Sequence, residues 1–250
     1  MQIVKKENLE NLSELFKEVR FNMGKSVLDN KMGKAYADNE SQPSFAFLLV
    51  RSYCFISGSI EKEKLEEIIN NYNLKDYIII PSDNLKELFR AIFKKKITRC
   101  ERHSIEKNPK FNIKQLEEYS NSVQNKYEFV VITKEIAYNI KEENFLTITD
   151  DYEKNGIGYA CLQHNEIIGV ASSNIIYKDG IEVNIRIKDN FRKEGLATVL
   201  ASKLILLCIQ KNMTVSWDAA NLPSLKLAEK LGFEYCSTYD VYKCIGICEV

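Results

Sequence analysis

Arg192, Gly195 and Ala197 stand in the order R-x-x-G-x-A within NFRKEGLATVLASKLI, residues 190 to 205. Before them Val183, Ile185 and Ile187 alternate as in a strand; after them Leu196, Val199, Leu200, Leu204 and Leu207 recur at helical spacing. No Ser, Thr, Asp or Asn stands at the mouth of that helix, so its first backbone N–H groups have no local acceptor. Consecutive N–H groups, the positive end of the helix dipole and a glycine that permits close backbone approach make a cradle for an anion, and a diphosphate suits it. Arg192 or Lys193 can add a charge-assisted contact. Taken alone, the pattern also fits an ordinary charged turn before an amphipathic helix.

A second segment changes that balance. In WDAANLPSLKLAEKLGFEY, residues 217 to 235, a strand end is followed by Asn221, an amphipathic helix and the stop Leu231-Gly232-Phe233. Together the two segments resemble the GNAT superfamily of acyl-CoA-dependent N-acyltransferases over roughly residues 126 to 242. R-x-x-G-x-A matches that family's pyrophosphate loop, and N-x-x-S-x-x-L-A-x-K-L-G-F matches its second cofactor segment. Within the family, GKAYADNESQPSFAFLLVRSYCFISG and WDAANLPSLKLAEKLGF are similar to a bacterial branch that includes zwittermicin A resistance acetyltransferases.

The resemblance implies acetyl-CoA as co-substrate and a small-molecule amine as acceptor. It implies that the backbone at Ile185, Arg186 and Ile187 pairs with the pantetheine arm. Arg192, Lys193, Glu194, Gly195, Leu196, Ala197 and Thr198 would hold the pyrophosphate, Asn221 would hydrogen-bond the arm, and Ser224 would flank it. The thioester would then lie between NIRIK and VSWDA, where two parallel strands splay apart.

The proton-transfer groups are less clear in the sequence. Alignment through Asn221 and Gly232-Phe233 puts Ala228 where many relatives carry a thiolate-protonating Tyr. Many relatives also carry a Glu near the position of Ser216; Asp218 is two residues on and shares its strand face, which makes it the first candidate for a base or an amine-binding carboxylate. Asp218 equally fits a turn that caps the next helix. Glu182 is a second candidate, although alternation turns it away from Ile185 and Ile187. Tyr239 and Tyr242 can donate a proton or be ordinary core or surface tyrosines. Cys161 and Cys208 fall at apolar positions, against a covalent cysteine mechanism. Ala228 also keeps open a non-catalytic acetyl-CoA-binding module.

The elements that must position these groups are of mixed type. YEFVVIT, GYACLQHN, EIIGVASSNIIYKDG and IEVNIRIKD read as four strands, joined in part by hairpin turns at HNE and KDG. Helix 196 to 211, strand MTVSWDA, helix 223 to 231 and the strand-like tail YDVYKCIGICEV follow. The N-terminal part predicts a polar helix at 7 to 20, strands in 44 to 58, a helix in EKEKLEEIINNY, a strand in DYIIIPS and a helix at 84 to 96 capped by Asn84 or Asp83. The polar stretch EEYSNSVQNKYEF reads as a connector, which sets a boundary near residue 125 and two domains, 1–125 and 126–250. The expected fold class is α/β (α+β): a GNAT-type, mostly antiparallel mixed sheet flanked by helices, with a smaller α/β N-terminal lobe. The similar order of elements in the halves leaves a divergent GNAT-like duplication open, with no sequence identity between them to support it.

Composition narrows the function classes. The 250 residues are 45% hydrophobic and 28% charged with 10 Gly and 4 Pro, a globular rather than disordered profile. Lys plus Arg equals Asp plus Glu at 35 each, which gives bulk nucleic-acid binding no support. Seven scattered cysteines without a C-x-x-C pair suit reduced thiols in a cytosol. His103 and His164 have no ligand or triad spacing, and His164 falls in a hairpin turn, so neither a metal nor a hydrolase site is expected. MGKSV at 23 to 27 fails as a P-loop because Val19 stands where a glycine is needed. With no signal-peptide or membrane-span pattern, the expectation is a cytoplasmic enzyme without a membrane partner; a homodimer is compatible with it.

Overall fold

Two apolar runs, FAFLLV and YCFISG, are separated only by Arg51 and Ser52, and Arg51 takes φ 55° to close them into a hairpin. The computed structural model describes residues 1–17, 22–72, 74, 76–105, 109–123, 126–142 and 155–245. It divides the chain into two compact units, Met1–Arg102 with Thr238–Val250, and His103–Ser237.

In the first unit β1 (Gln2–Ile3), β2 (Lys34–Ala37), β3 (Phe45–Val50) and β4 (Tyr53–Gly58) pair antiparallel in that order. Helix α1 (Asn22–Leu28) precedes β2, and α2 (Lys62–Asn71) carries the chain from β4 to β5 (Tyr77–Ile79), which pairs with β4 in parallel. Next come α3 (Asp83–Phe93) and β6 (Ile97–Ile105). Ser82 supplies the α3 cap, its Oγ accepting from Leu85 N at 3.5 Å; neither Asp83 nor Asn84 does, since both lie inside the helix. Of the polar helix expected over 7 to 20, the stretch Lys6–Leu12 forms 3-10 turns instead, and 18 to 20 lie outside the described residues. Phe45, Phe47, Ile56, Leu65, Ile69, Ile78 and Phe89 form the core, and the last strand (Tyr235–Cys244) adds Tyr242 to it opposite Ile78.

The second unit is built on a sheet ordered β11-β10-β9-β8-β7. Its strands are β7 (Glu128–Val131), β8 (Gly158–Gln163), β9 (Glu166–Tyr177), β10 (Gly180–Ile187) and β11 (Thr214–Ser216). All neighbours are antiparallel except β10 and β11. The β8–β9 turn is made by His164 and Asn165, both left-handed at φ 51° and 66°, so His164 sits in the hairpin turn expected for it. Helices α4 (Ile113–Asn121), α5 (Lys134–Glu142), α6 (Leu196–Gln210) and α7 (Leu222–Lys230) complete the unit with the short strand β12 (Asp218–Ala219). Leu116 of α4 and Leu200, Leu204 and Ile205 of α6 share one core with Ile181 and Val183 of β10. Ala137 and Ile140 of α5 share another with Ala160, Ile167 and Val170.

The unit starts at His103, whereas the boundary read from sequence lies at 125. Part of the polar stretch taken for a connector is α4: Asn112 Oδ1 accepts from Gln115 N at 3.2 Å to start it, and Leu116 is 1% exposed. The tail from Thr238 belongs with the first unit, not with the C-terminal domain. Among the described residues no helix is long and apolar enough to cross a membrane.

Tyr242 gives this assignment a test. Its ring lies 5.4 Å from that of Phe89, and its hydroxyl accepts from Arg90 Nε at 2.8 Å. Tyr242→Ala should therefore lower unfolding free energy by about 3–5 kcal/mol. Urea denaturation measures it, and a loss below about 1 kcal/mol contradicts the core placement.

Candidate functional site

The site begins where β10 and β11 part. Gly180 pairs with Thr214, Ile181 with Val215 and Glu182 with Ser216, and the parallel ladder then stops. A Cβ on Gly180 would lie 2.1 Å from Thr214 O, so only glycine lets the strands start this close. Thr214 N donates to Asp179 O at 2.7 Å, and Ser216 Oγ donates to Glu182 Oε2 at 2.6 Å, fastening both ends of the short ladder. β10 continues through Ile187, paired with β9 along one edge; no strand pairs with its other edge from Val183 to Ile187 among the described residues. Ile185, Arg186 and Ile187 thus lie on an exposed ladder, where an amide-bearing chain can dock as an added strand. The sheet irregularity beside Glu182 places the extra residue, Asn174, on β9. β10 therefore keeps its alternation: Ile185 and Ile187 pack against the α6-side core, and Glu182 faces the other way, as its position predicts.

Trp217 takes the chain out of β11. It is buried, its ring is 5.5 Å from that of Phe233, and its Nε1 donates to Ser224 Oγ at 3.1 Å. Beyond it β12 pairs antiparallel with β6, Asp218 opposite Ser104. Between Ser216 and Asp218 the chain thus changes its pairing partner from β10 to β6. Asp218 does not cap α7: Asn221 does, its Oδ1 accepting from Ser224 N at 3.0 Å. Asn221 and Ser224 are thus brought together by the cap. The cap occupies Asn221 Oδ1 and leaves its amide group to donate, while Trp217 fills an acceptor site of Ser224 and leaves that hydroxyl its proton.

At the far end of β10 a turn over Asp189–Phe191 leads to Arg192. Lys193 and Gly195 are left-handed at φ 66° and 83°, and Gly195 is the N-cap of α6 without any side-chain cap bond. No acidic residue lies in the first turn of α6. Leu196 and Thr198 turn inward, 1% and 9% exposed, while Ala197 is half-buried. A Cβ built on Gly195 meets only Val123 Cγ1, at 4.0 Å. The space beside this backbone is open, and the chain's own packing does not require glycine there. An uncapped 15-residue helix with open space at its mouth fits the diphosphate of a coenzyme A thioester.

The charges around that mouth differ from the sequence expectation. Arg192 lies 2.7 Å from Asp189 Oδ1 in an exposed i,i+3 pair, a weak interaction that a phosphate can replace. Glu194 turns its carboxylate to Lys126 Nζ and to Tyr127 Oη, the latter at 2.5 Å. These donors hold Glu194 below the usual carboxylate range; in turn the bond to Glu194 raises the Lys126 ammonium, and burial followed by the same carboxylate raises the Tyr127 phenol. Lys230, at the end of α7, donates to Thr198 Oγ1 at 3.4 Å and lies 4.8 Å from the centroid of Tyr119. Sequence reasoning missed Lys126, Tyr127 and Lys230. Only the lysine in LAEKLGF carried a signal, inside the second segment.

Several candidates are not gathered here. Tyr242 is 1% exposed and tied to Arg90, which makes it a core residue of the first unit rather than a proton donor; Tyr239 belongs to that unit as well. Ala228 is fully buried, its carbonyl accepting from Phe233 N at 3.1 Å. Cys161 and Cys208 are buried, and burial pushes both thiols up to about 12, far from a reactive thiolate.

A family model, GNAT acetyltransferase, matches residues 13–242. The chain belongs to the GNAT acetyltransferase family. It is accordingly an N-acetyltransferase. The chain is similar to YdfB of Bacillus subtilis strain 168, an uncharacterized N-acetyltransferase, at 25% identity over 229 residues, covering 87% of this chain and 88% of the relative. A GCN5-related N-acetyltransferase-like protein from Streptococcus suis shares the fold at TM-score 0.87 and 24% identity, over 95% of this chain and 98% of its own. A tandem GNAT protein from the clavulanic acid biosynthesis pathway shares it at TM-score 0.55 and 10% identity, over 100% and 99% of the chains. These likenesses make the mixed, antiparallel-dominated architecture that of the GNAT fold.

The α7 cap is testable on its own. Asn221→Ala should cost about 1 kcal/mol in urea denaturation, and Asn221→Asp should restore most of it. An unchanged midpoint for Asn221→Ala would count against the capping geometry.

Proposed function

We propose that this GNAT enzyme moves an acetyl group from acetyl-CoA to a primary amine on a small acceptor. The observation that carries the reading is the open edge of β10, which starts at the Glu182–Ser216 pair and runs to the turn before the uncapped helix α6. That path offers main-chain pairing for an amide-bearing arm and then amide N–H groups for a diphosphate, in the order in which coenzyme A presents them. The likeness of the N-terminal segment to the zwittermicin A resistance branch supports an amine-bearing metabolite or antibiotic as the acceptor.

When bound, acetyl-CoA supplies the acyl group as an activated thioester. The backbone of Ile185, Arg186 and Ile187 pairs with the pantetheine arm, and a β10 N–H polarises the carbonyl. Arg192, Lys193 and the amides from Gly195 to Thr198 hold the diphosphate, with Lys230 adding a cation from α7. Asn221 donates its amide to the arm, and the Ser224 hydroxyl donates into the same crevice. Glu182 is assigned the proton from the acceptor ammonium: it is 5% exposed, anchored by Ser216 and placed where the strands part. Asp218, half-buried on β12, is assigned to hold the acceptor's ammonium. Alignment of the reactants, rather than a dedicated acid at Ala228, then supplies much of the acceleration.

Acetyl-CoA should raise the melting temperature of the wild-type protein, since a ligand selective for the folded state stabilises it. Gly195→Trp should abolish that shift with unchanged far-UV circular dichroism; a retained shift refutes the loop assignment. In a thiol-release screen of amines, Glu182→Gln should lower kcat by roughly 10²–10⁴-fold while the KM for acetyl-CoA stays within about twofold. A kcat near wild type would move the base to another residue.

A further inference from the structure

Glu194 is out of place in an anion site. It lies between the left-handed residues Lys193 and Gly195, next to amides that would face a diphosphate of the same sign. A carboxylate free to swing into that mouth would repel the ligand and could itself accept from the helix N–H groups, since acidic groups favour helix N-termini. The structure turns it elsewhere. Glu194 Oε2 accepts from Lys126 Nζ and from Tyr127 Oη, and the Lys126 ammonium lies 5.0 Å from the centre of the Tyr127 ring. Tyr127 is 6% exposed and packs in the α6-side core, so its hydroxyl is a fixed anchor, while the Lys126 side chain is largely exposed. Val123, in the same stretch before β7, is the nearest atom group to the open space at Gly195.

We propose that Lys126 and Tyr127 are positioning residues for the cofactor loop, which draw the Glu194 carboxylate out of the diphosphate site and neutralise it there. Neither residue has to touch the ligand. Their effect comes through Glu194, and this inference rests on the reading of the loop as the diphosphate site. The latch has two distinct parts. Lys126 cancels the charge, and Tyr127, anchored in the core, fixes its direction.

Isothermal titration of acetyl-CoA into four proteins tests the idea. The Lys126→Ala/Tyr127→Phe double variant should bind about tenfold more weakly than wild type. Glu194→Gln alone should bind at least as tightly as wild type, and the triple variant should recover to within about twofold of it. Affinity for S-acetyl-pantetheine, which lacks the diphosphate, should be equal in all four when measured by competition. Wild-type affinity in the double variant overturns the proposal, as does failure of Glu194→Gln to restore binding or an equal loss for S-acetyl-pantetheine, which would mark a general structural role. Failure of the wild-type protein to bind acetyl-CoA is a different outcome: it removes the cofactor reading itself.

Discussion

The parallel ladder between β10 and β11 is only three residue pairs long, and the functional half of the molecule depends on where it stops. The strands must start together, because Gly180 admits Thr214 at a distance no other residue allows, and they must part, because Trp217 anchors the following residues to α7 and Phe233. A longer ladder would satisfy more of the backbone of β10 and close the crevice. A shorter one would lose the Glu182–Ser216 bond, the last tie before the opening. Unsatisfied strand edges are ordinarily a liability, so an edge that opens beside a buried carboxylate and leads to an uncapped helix is best explained by a ligand that pairs with it.

The same economy governs charge. α6 is apolar on nearly all sides and buried, so its dipole lies in a poorly screened environment and its first N–H groups need an acceptor from outside the helix. Charged side chains around its mouth come in cancelling pairs, Arg192 with Asp189 and Lys126 with Glu194. Pairing keeps the loop ordered without filling the cradle, and the exposed Arg192 pair is weak enough to yield to a phosphate. Lys230 adds a cation bonded to a hydroxyl and set over an aromatic ring rather than to a carboxylate. The mouth is thereby cationic in a chain whose formal net charge is +0.

How much of this was legible in the sequence follows from the range of each interaction. Arg192, Gly195 and Ala197 are readable because strand, turn and uncapped helix are local, and Asn221 is readable because a cap acts on its own first turn. The face of Glu182 follows from simple alternation, since the irregularity falls on β9 and leaves β10 in phase. The change of pairing partner at Trp217 was not legible, since it depends on packing against Ser224 and Phe233, which periodicity does not contain. Lys126 acts on a residue far along the chain, so no local pattern marks it, while Lys230 is marked by its place in LAEKLGF but not by its bond to Thr198. The polar face of α4 resembles a connector because its apolar side is narrow, with Leu116 carrying most of its burial. Tyr242 looked like tail chemistry until strand pairing with β5 placed it in a core.

The first unit shows how little of the scaffold is specific to chemistry. It repeats the order of the second: an antiparallel hairpin, a helix, a parallel strand and another helix, with β4 and β5 also joined by three parallel pairs. β4 likewise runs on past its last pair, from Phe55 to Gly58. There Ser57 Oγ donates to the carbonyl of Leu15 at 2.5 Å, which ties the N-terminal segment to the end of that strand. The helix that follows has Glu61 at its N-cap position, also without a side-chain cap bond, and Glu63 in its first turn, acidic charges that suit its dipole and repel an anion. Two units with the same order of elements thus differ at the helix mouth, which is acidic in the first and has no acidic residue in the first turn of the second. That difference lies in a few residues around the helix mouths, and it supports the proposal of acetyl transfer in the second unit, where the fold as such does not decide between the two.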